Sequence, residues 1–176
     1  MKTNIRMKKF LAILGSALVG LMHATAAYAI VQPVTAEVTF AGPISIAPQN
    51  QLQFGVLDEA LNTEVITIDT NDLATGSGIG FIIGGTQLAA DLEITATALV
   101  PLSILVDAII PGTGYTLDTF VCSYEGGAET DCDGPGTYQP TSVAIGTLKI
   151  GATLTGDGTA TAGNRDGSFN VTVTYQ

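Results

Sequence analysis

The last residues of the chain alternate strictly between apolar and polar side chains, from Ser168 to Tyr175. The apolar positions are Phe169, Val171, Val173 and Tyr175. A period of two is typical of a β-strand that has one face buried and the other in water. The pair Asp166-Gly167 just before it predicts a turn. The chain therefore ends in a strongly amphipathic strand.

The same alternation recurs along the chain and predicts an all-β fold. We predict strands over residues 34–40, 44–46, 51–56, 64–69, 80–84, 92–98, 102–106, 115–121, 143–154 and 169–175. Clusters of Gly, Pro, Asn and Asp separate these stretches. Short strands at this spacing favour an immunoglobulin-like antiparallel β-sandwich. Residues 58–62 and 87–91 are predicted to form single helical turns.

The N-terminus predicts an exported protein. Lys2, Arg6, Lys8 and Lys9 precede an apolar stretch over residues 10–22, and small residues follow at Ala27 and Ala29. This is the pattern of a signal peptide, residues 1–29, cleaved after Ala29. The apolar stretch is too short to span a bilayer comfortably, and no second long one follows, so we expect no transmembrane segment in the mature chain. Residues 42–176 are then long enough for one β-sandwich domain.

Removal of the signal peptide leaves a strongly acidic protein. Only Lys149 and Arg165 remain against sixteen acidic residues, a difference of −14. Such a charge disfavours nucleic acids and anionic membrane surfaces as partners. The single histidine, His23, lies in the predicted signal peptide, so the mature chain has no imidazole for a catalytic triad or a metal site. We expect no enzymatic activity and no cofactor.

Cys122 and Cys132 are the only cysteines, with nine residues between them. An even number in an exported protein predicts one disulfide that closes a hairpin or long loop. A redox or metal-binding pair is the alternative. It would need a Cys-x-x-Cys spacing or a histidine, and the mature chain has neither.

Two short motifs resemble fragments of calcium-binding loops. They are Asp131-x-Asp133-Gly134 and Asn164-x-Asp166-Gly167. Neither has the full spacing or the closing glutamate of an EF-hand. Asp and Gly are also the usual residues of turns, which is the interpretation we favour, with weak calcium binding as the alternative.

Two parts of the sequence resemble a bacterial family known as domain of unknown function 4402. These are residues 52–55, Leu-Gln-Phe-Gly, and the stretch from Leu148 through Gly163 and Gly167 to Tyr175. The resemblance extends over nearly the whole mature chain and is most specific at the C-terminus. It implies a secreted, pilin-like β-sandwich.

The C-terminus also resembles the assembly signal of chaperone–usher pilins. That signal has a penultimate tyrosine, alternating apolar residues before it and a glycine fourteenth from the end. Here Tyr175 is penultimate, and Gly163 is fourteenth from the end. The resemblance implies that Gly163, Phe169, Val171, Val173 and Tyr175 form a strand recognised by a periplasmic chaperone.

Residues 30–41 form either an N-terminal extension or the first strand of the domain. Val34, Ala36, Val38 and Phe40 lie on one face of the predicted strand. In pilin assembly such an extension is donated to the open groove of a neighbouring subunit. The alternative is that the segment pairs within its own subunit.

The sequence thus predicts a structural subunit of a surface filament or fimbria. Its partners would be copies of itself or related pilin subunits, with a periplasmic chaperone and an outer-membrane usher during assembly. It would pass through the periplasm to the cell surface. The alternative function is a monomeric secreted or periplasmic module that binds carbohydrate or calcium.

Overall fold

The structure is a computed structural model that describes Val38, residues 40–110 and residues 112–176. The predicted signal peptide and most of the predicted strand at residues 34–40 lie outside these residues. Residues 39–176 form one compact unit. Among the residues described, the structure contains no helix with the length and hydropathy that a membrane span requires.

The fold is an all-β antiparallel sandwich, as the sequence predicts. The strands are β1 (Ser45–Asn50), β2 (Gln53–Leu57), β3 (Asn62–Ile68), β4 (Ala74–Thr75), β5 (Ile82–Leu88), β6 (Ala90–Thr95), β7 (Leu102–Ile110), β8 (Tyr115–Tyr124), β9 (Thr130–Asp131), β10 (Ile145–Asp157) and β11 (Ser168–Tyr175). One 3-10 turn, Ile79–Phe81, precedes β5. Every pairing among the described strands is antiparallel.

The long strand β10 organises the larger layer. Along one edge it pairs with β6 over its first half and with β3 over its second half. The opposite edge pairs with β8. Strands β1, β4 and β9 extend this sheet at its margins. The even-numbered side chains of β10 face the core, where Leu148, Ile150 and Ala152 are fully buried.

The second layer consists of two separate two-stranded sheets. The pair β7–β11 packs on a core cluster built with β6, β8 and β10. The pair β2–β5 packs on a second cluster that contains Ile66 and Ile68 of β3 and Leu154 of β10. Leu52 and Phe54 contact both clusters. The two small sheets are not hydrogen-bonded to each other as strands within the described ranges.

The two predicted helical turns are wrong. At residues 58–62 the chain makes a tight turn, in which the Asp58 carboxylate accepts the N–H of Ala60 at 2.9 Å before β3 begins. At residues 87–91 the chain leaves β5 and enters β6. Asp91 pairs there with Lys149 of β10. Pairing with distant strands determines the conformation at this second position.

Candidate functional site

The C-terminal strand β11 has the alternating burial that its sequence predicts. Its apolar side chains face inward and its polar side chains face solvent. Phe169 packs against Phe120 of β8 with ring centroids 5.0 Å apart. Val171, Val173 and Tyr175 pack against the same core cluster, which also contains Phe120. The apolar face of β11 therefore packs against the larger sheet across the core of the sandwich.

One edge of β11 pairs with β7 without interruption from Asn170 to Tyr175. Opposite Val171, Val173 and Tyr175 lie Val106, Ile104 and Leu102 of β7. These cross-strand pairs place apolar side chains together on the core face of the sheet. A register shift separates this regular stretch from Ser168.

The hydrogen bonds on the other edge of β7 show which backbone groups of β11 point away from β7. The N–H groups of Leu102, Ile104 and Val106 point away from β11, toward the carbonyls of Pro140, Tyr138 and Cys132. In an antiparallel pair, residues directly opposite each other both direct their backbone groups toward the partner or both direct them away. The N–H and C=O groups of Val171, Val173 and Tyr175 therefore point away from β7.

Nothing that the structure describes pairs with these groups. Across residues 40–110 and 112–176, no strand and no backbone hydrogen bond occupies this edge of β11. We call the edge carrying the backbone groups of Val171, Val173 and Tyr175 the open edge. It is a template for one more strand.

Burial differs sharply between the two strands of this small sheet. Leu102, Ile104 and Val106 of β7 are fully buried. The facing residues Val171 and Val173 are only half-buried, although they point toward the same core. The core beside the open edge is therefore incompletely covered, and apolar side chains of an added strand would cover it.

The predicted disulfide is present and lies in the core. Cys122 of β8 is bonded to Cys132, and both are fully buried. The backbone N–H of Cys132 donates to the Phe120 carbonyl, whereas its carbonyl accepts from Val106. The bridge therefore lies where the chain leaves the larger sheet and joins the edge of β7.

The predicted donor residues are only partly described. Val34 and Ala36 lie outside the described residues. Val38 and Phe40 are not in a strand, and their side chains are 71% and 87% exposed. Gly163 lies in the exposed loop before β11 rather than on the strand.

The first calcium-like motif, at residues 131–134, forms a turn, whereas residues 164–167 of the second lie in an irregular loop before β11. The Asp131 carboxylate accepts the backbone N–H of Asp133 at 3.0 Å, which is the hydrogen bond of an Asx turn. The hydrogen bond between the two side chains is the main cause that raises the pKa of Asp133. In the part of the chain covered by the structure, no group of three acidic, histidine or cysteine side chains is placed to hold a metal ion.

A small polar cavity of about 250 Å³ lies on the outer face of the larger sheet. Lys149 lines it and forms an ion pair with Asp72, with 3.3 Å between the ammonium and carboxylate groups. Glu129 also lines it and accepts hydrogen bonds from the N–H and the hydroxyl of Thr70, both at 2.9 Å. The sequence alone did not predict this site. Its only sequence signal is that Lys149 is one of two cationic residues after residue 29.

The sequence matches the family described as Domain of unknown function (DUF4402) over residues 44–175. The match begins just before β1 and ends on the last residue of β11, so it includes all eleven strands. No curated protein and no solved structure matches the chain.

Proposed function

The chain belongs to the DUF4402 family, and we propose that it is a structural subunit of a bacterial surface filament or fimbria, assembled by strand complementation between subunits. The observation that carries this proposal is the open edge of β11. The strand pairs with β7 on one side, and on the other none of the residues that the structure describes pairs with its backbone, while its inward side chains are only half-buried.

An added strand would pair the free backbone groups of β11 and cover its half-buried side chains at the same time. Its backbone would pair with the N–H and C=O groups of Val171, Val173 and Tyr175. Its alternate side chains would cover the exposed core, and each apolar side chain buried in this way contributes about 1.5–3 kcal/mol. Strand addition of this kind combines generic backbone pairing with selection by side-chain pockets.

Residues 30–41 of another copy are the proposed donor. Four apolar residues at every second position, Val34, Ala36, Val38 and Phe40, match the four apolar positions of β11 in number and spacing. The segment precedes the part of the chain that the family shares, which supports its role as an extension of the domain. The exposure of Val38 and Phe40 in a single copy also supports a partner that covers them.

The open edge also requires a partner before assembly. An unpaired, apolar strand edge pairs readily with any extended chain, so an exported subunit would aggregate on its way to the surface. A periplasmic chaperone that lends a strand would cover the edge until the next subunit replaces it. We propose an outer-membrane usher as the site of that exchange.

Amide hydrogen exchange tests the proposal residue by residue. A peptide of residues 30–41 is added to mature protein that lacks these residues. The amides of Val171, Val173 and Tyr175 should gain protection, whereas those of Thr172 and Thr174, which already face β7, should change little. A peptide with Val38→Asp is the matched control.

Electron microscopy of the mature protein provides the second readout. The wild type should form filaments, and the variant lacking residues 30–41 should not. A wild-type protein that stays monomeric at high concentration, with residues 30–41 paired inside its own sandwich, would contradict the proposal.

The second candidate function is a monomeric binding module, and the polar cavity at Lys149 is the observation that favours it. The cavity offers an ammonium group, a carboxylate and hydroxyls, which together suit a small polyhydroxylated ligand such as a monosaccharide. Calorimetric titration with monosaccharides tests it. Sugar binding that is lost in Lys149→Met would support this function. A titration that gives no heat of binding with any of the sugars would contradict it.

A further inference from the structure

One side chain of β1 faces the core but is not covered by it. Ile46 lies directly opposite Ile94 of β6, and residues opposite each other in antiparallel strands place their side chains on the same face of the sheet. Ile94 is fully buried, so Ile46 also faces the core, yet Ile46 is 37% exposed. Among the residues that the structure describes, β1 pairs only with β6. The core is therefore incompletely covered beside β1 as well as beside β11.

The two uncovered stretches lie on the same side of the sandwich. In the larger sheet β1 lies at one margin, beyond β6, whereas β8 pairs with the opposite edge of β10. In the second layer, the edge of β7 that faces away from β11 bonds to carbonyls within residues 132–140, and Cys132 in turn bonds to β8. The open edge of β11 therefore faces the side where β1 lies. We call the gap between this open edge and Ile46 the groove.

A single residue joins the two strands at one end of the groove. The N–H of Thr97 donates to the hydroxyl of Tyr175, and Oγ1 of Thr97 accepts the N–H of Gly42 at 2.7 Å. Tyr175 is the last residue of β11, and Gly42 comes three residues before β1 begins. The end of β11 and the approach to β1 therefore meet at Thr97, and Ile46 lies on β1 just inside this end.

The same contact shows where the N-terminal segment leaves the domain. Residues 30–41 precede Gly42, so they leave at the Thr97 end, toward which β11 also runs. A donor strand parallel to β11 would bring the donor's domain to this end, because residue 41 is the last residue of the donor strand. The acceptor's own segment leaves there, so the two would collide. An antiparallel donor places its domain at the Ser168 end, which leaves the acceptor's segment free for a third copy.

We infer that Ile46 lines the groove opposite β11 and contacts Val34 of the donor copy. The inference rests on the proposed function, in which residues 30–41 of one copy pair with the open edge of another. In an antiparallel donor the first apolar residue, Val34, lies at the Thr97 end beside Ile46, and the last, Phe40, lies at the far end. The contact would bury the part of Ile46 that is exposed in a single copy.

A double-mutant cycle between protein and peptide tests this contact. The mature chain is kept dilute enough to be monomeric in sedimentation, and a peptide of residues 30–41 is added in excess. Affinities are measured for the wild type and for Ile46→Ala. Each is titrated with the wild-type peptide, with the Val34→Ala peptide and with the Phe40→Ala peptide.

Ile145→Ala is the matched control variant. Ile145 is an exposed isoleucine of β10 in the same sheet, and it lies directly opposite Thr95 of β6. Thr95 follows Ile94, and successive residues of a strand point to opposite faces of the sheet. Ile145 therefore faces away from the groove, and its truncation removes the same atoms as Ile46→Ala from the other face.

We expect Ile46→Ala to weaken binding of the wild-type peptide by roughly 10-fold, as the loss of part of one buried isoleucine predicts. With the Val34→Ala peptide, Ile46→Ala should cause little further loss, because the contact is already largely removed. With the Phe40→Ala peptide, Ile46→Ala should cause the full loss again. Ile145→Ala should bind all three peptides as the wild type does.

Each outcome bears on a different part of the inference. Wild-type affinity in Ile46→Ala would show that Ile46 does not line the groove, and strand complementation would still stand. A loss in Ile46→Ala that is coupled to Phe40, or to neither peptide position, would overturn the contact with Val34. A wild-type chain that does not bind the peptide at all would overturn the proposed function itself.

Discussion

The phenol oxygen of Tyr175 accepts a hydrogen bond from the backbone N–H of Thr97 at 2.6 Å. Thr97 lies in the connection between β6 and β7, so the bond fastens the last residue of β11 to a loop of the domain. The neighbouring bond from Gln176 to Pro101 reinforces the same end. The strand that bears the open edge is therefore anchored at its C-terminal end by its own tyrosine, and the open edge is presented in a fixed position.

Tyr175→Phe should lower the stability of the domain. The substitution keeps the apolar ring but leaves the Thr97 N–H without an acceptor, at a cost of about 1–2 kcal/mol. Urea unfolding measures the loss. The matched control is Tyr115→Phe, because the Tyr115 hydroxyl makes only a 3.3 Å bond to the carbonyl of Arg165 in an exposed loop. An equal loss in both variants would contradict the anchoring role.

Most strands could be predicted because their alternation is local. The alternation predicts both β11 and the long strand β10, since each has one face on the core. The short strands β4 and β9 could not be predicted, because each has two residues and exists only through its partner. The helical turns predicted at residues 58–62 and 87–91 are wrong for two different reasons. A local hydrogen bond from the N–H of Ala60 to the Asp58 carboxylate stabilises a tight turn in the first. Pairing of residues 90 and 91 with the distant strand β10 makes them part of a strand in the second.

The candidate site was predictable only in part. The sequence shows that β11 is amphipathic, but which of its edges is open depends on pairing with β7, whose partner residues lie 58 to 73 positions earlier. The open edge also depends on Cys132 and Tyr138, which occupy the far side of β7 without forming a regular strand.

Val171→Asp should prevent stable folding of the domain. The carboxylate would lie on the core face of β11 without a partner, at a cost of several kcal/mol. Thr172→Asp is the matched control, because the adjacent side chain faces solvent. We expect loss of Val171→Asp from the cell envelope and normal amounts of Thr172→Asp, measured by immunoblot. Equal amounts of both would show that this face of β11 is not buried.

Loss of the disulfide should destabilise the domain by about 3 kcal/mol, the value expected for a loop of this length. The bridge also positions Cys132 to pair with Val106, so its loss loosens one edge of β7. Cys122→Ala together with Cys132→Ala should lower the urea midpoint without changing the β-sheet signal in circular dichroism. Intact mass of the unreduced wild type should be two hydrogens lower than that of the reduced protein. Two free thiols in protein from the cell envelope would contradict the bridge.

Asp133→Asn should stabilise the protein at neutral pH more than at low pH. The hydrogen bond with Asp131 raises the pKa of Asp133 in the folded state. A raised folded-state pKa means that the stabilisation is complete below the ordinary aspartate pKa of about 3.9 and is lost as the pH rises through the folded value. The asparagine variant has no such loss. Its advantage in thermal midpoint should therefore grow between pH 3 and pH 7, and a constant difference would contradict the raised pKa of Asp133.

Val38→Asp should stop assembly without unfolding the subunit. If residues 30–41 fill the groove beside β11 of a neighbour, one charge in that apolar groove outweighs several neutral contacts. The matched control is Thr39→Asp, which places the same charge on the other face of the predicted strand. Filaments of Thr39→Asp but not of Val38→Asp should be visible in electron micrographs, and the two purified subunits should unfold at the same temperature. If Val38→Asp instead lowers the unfolding temperature of the monomer, the segment is an ordinary first strand of its own domain.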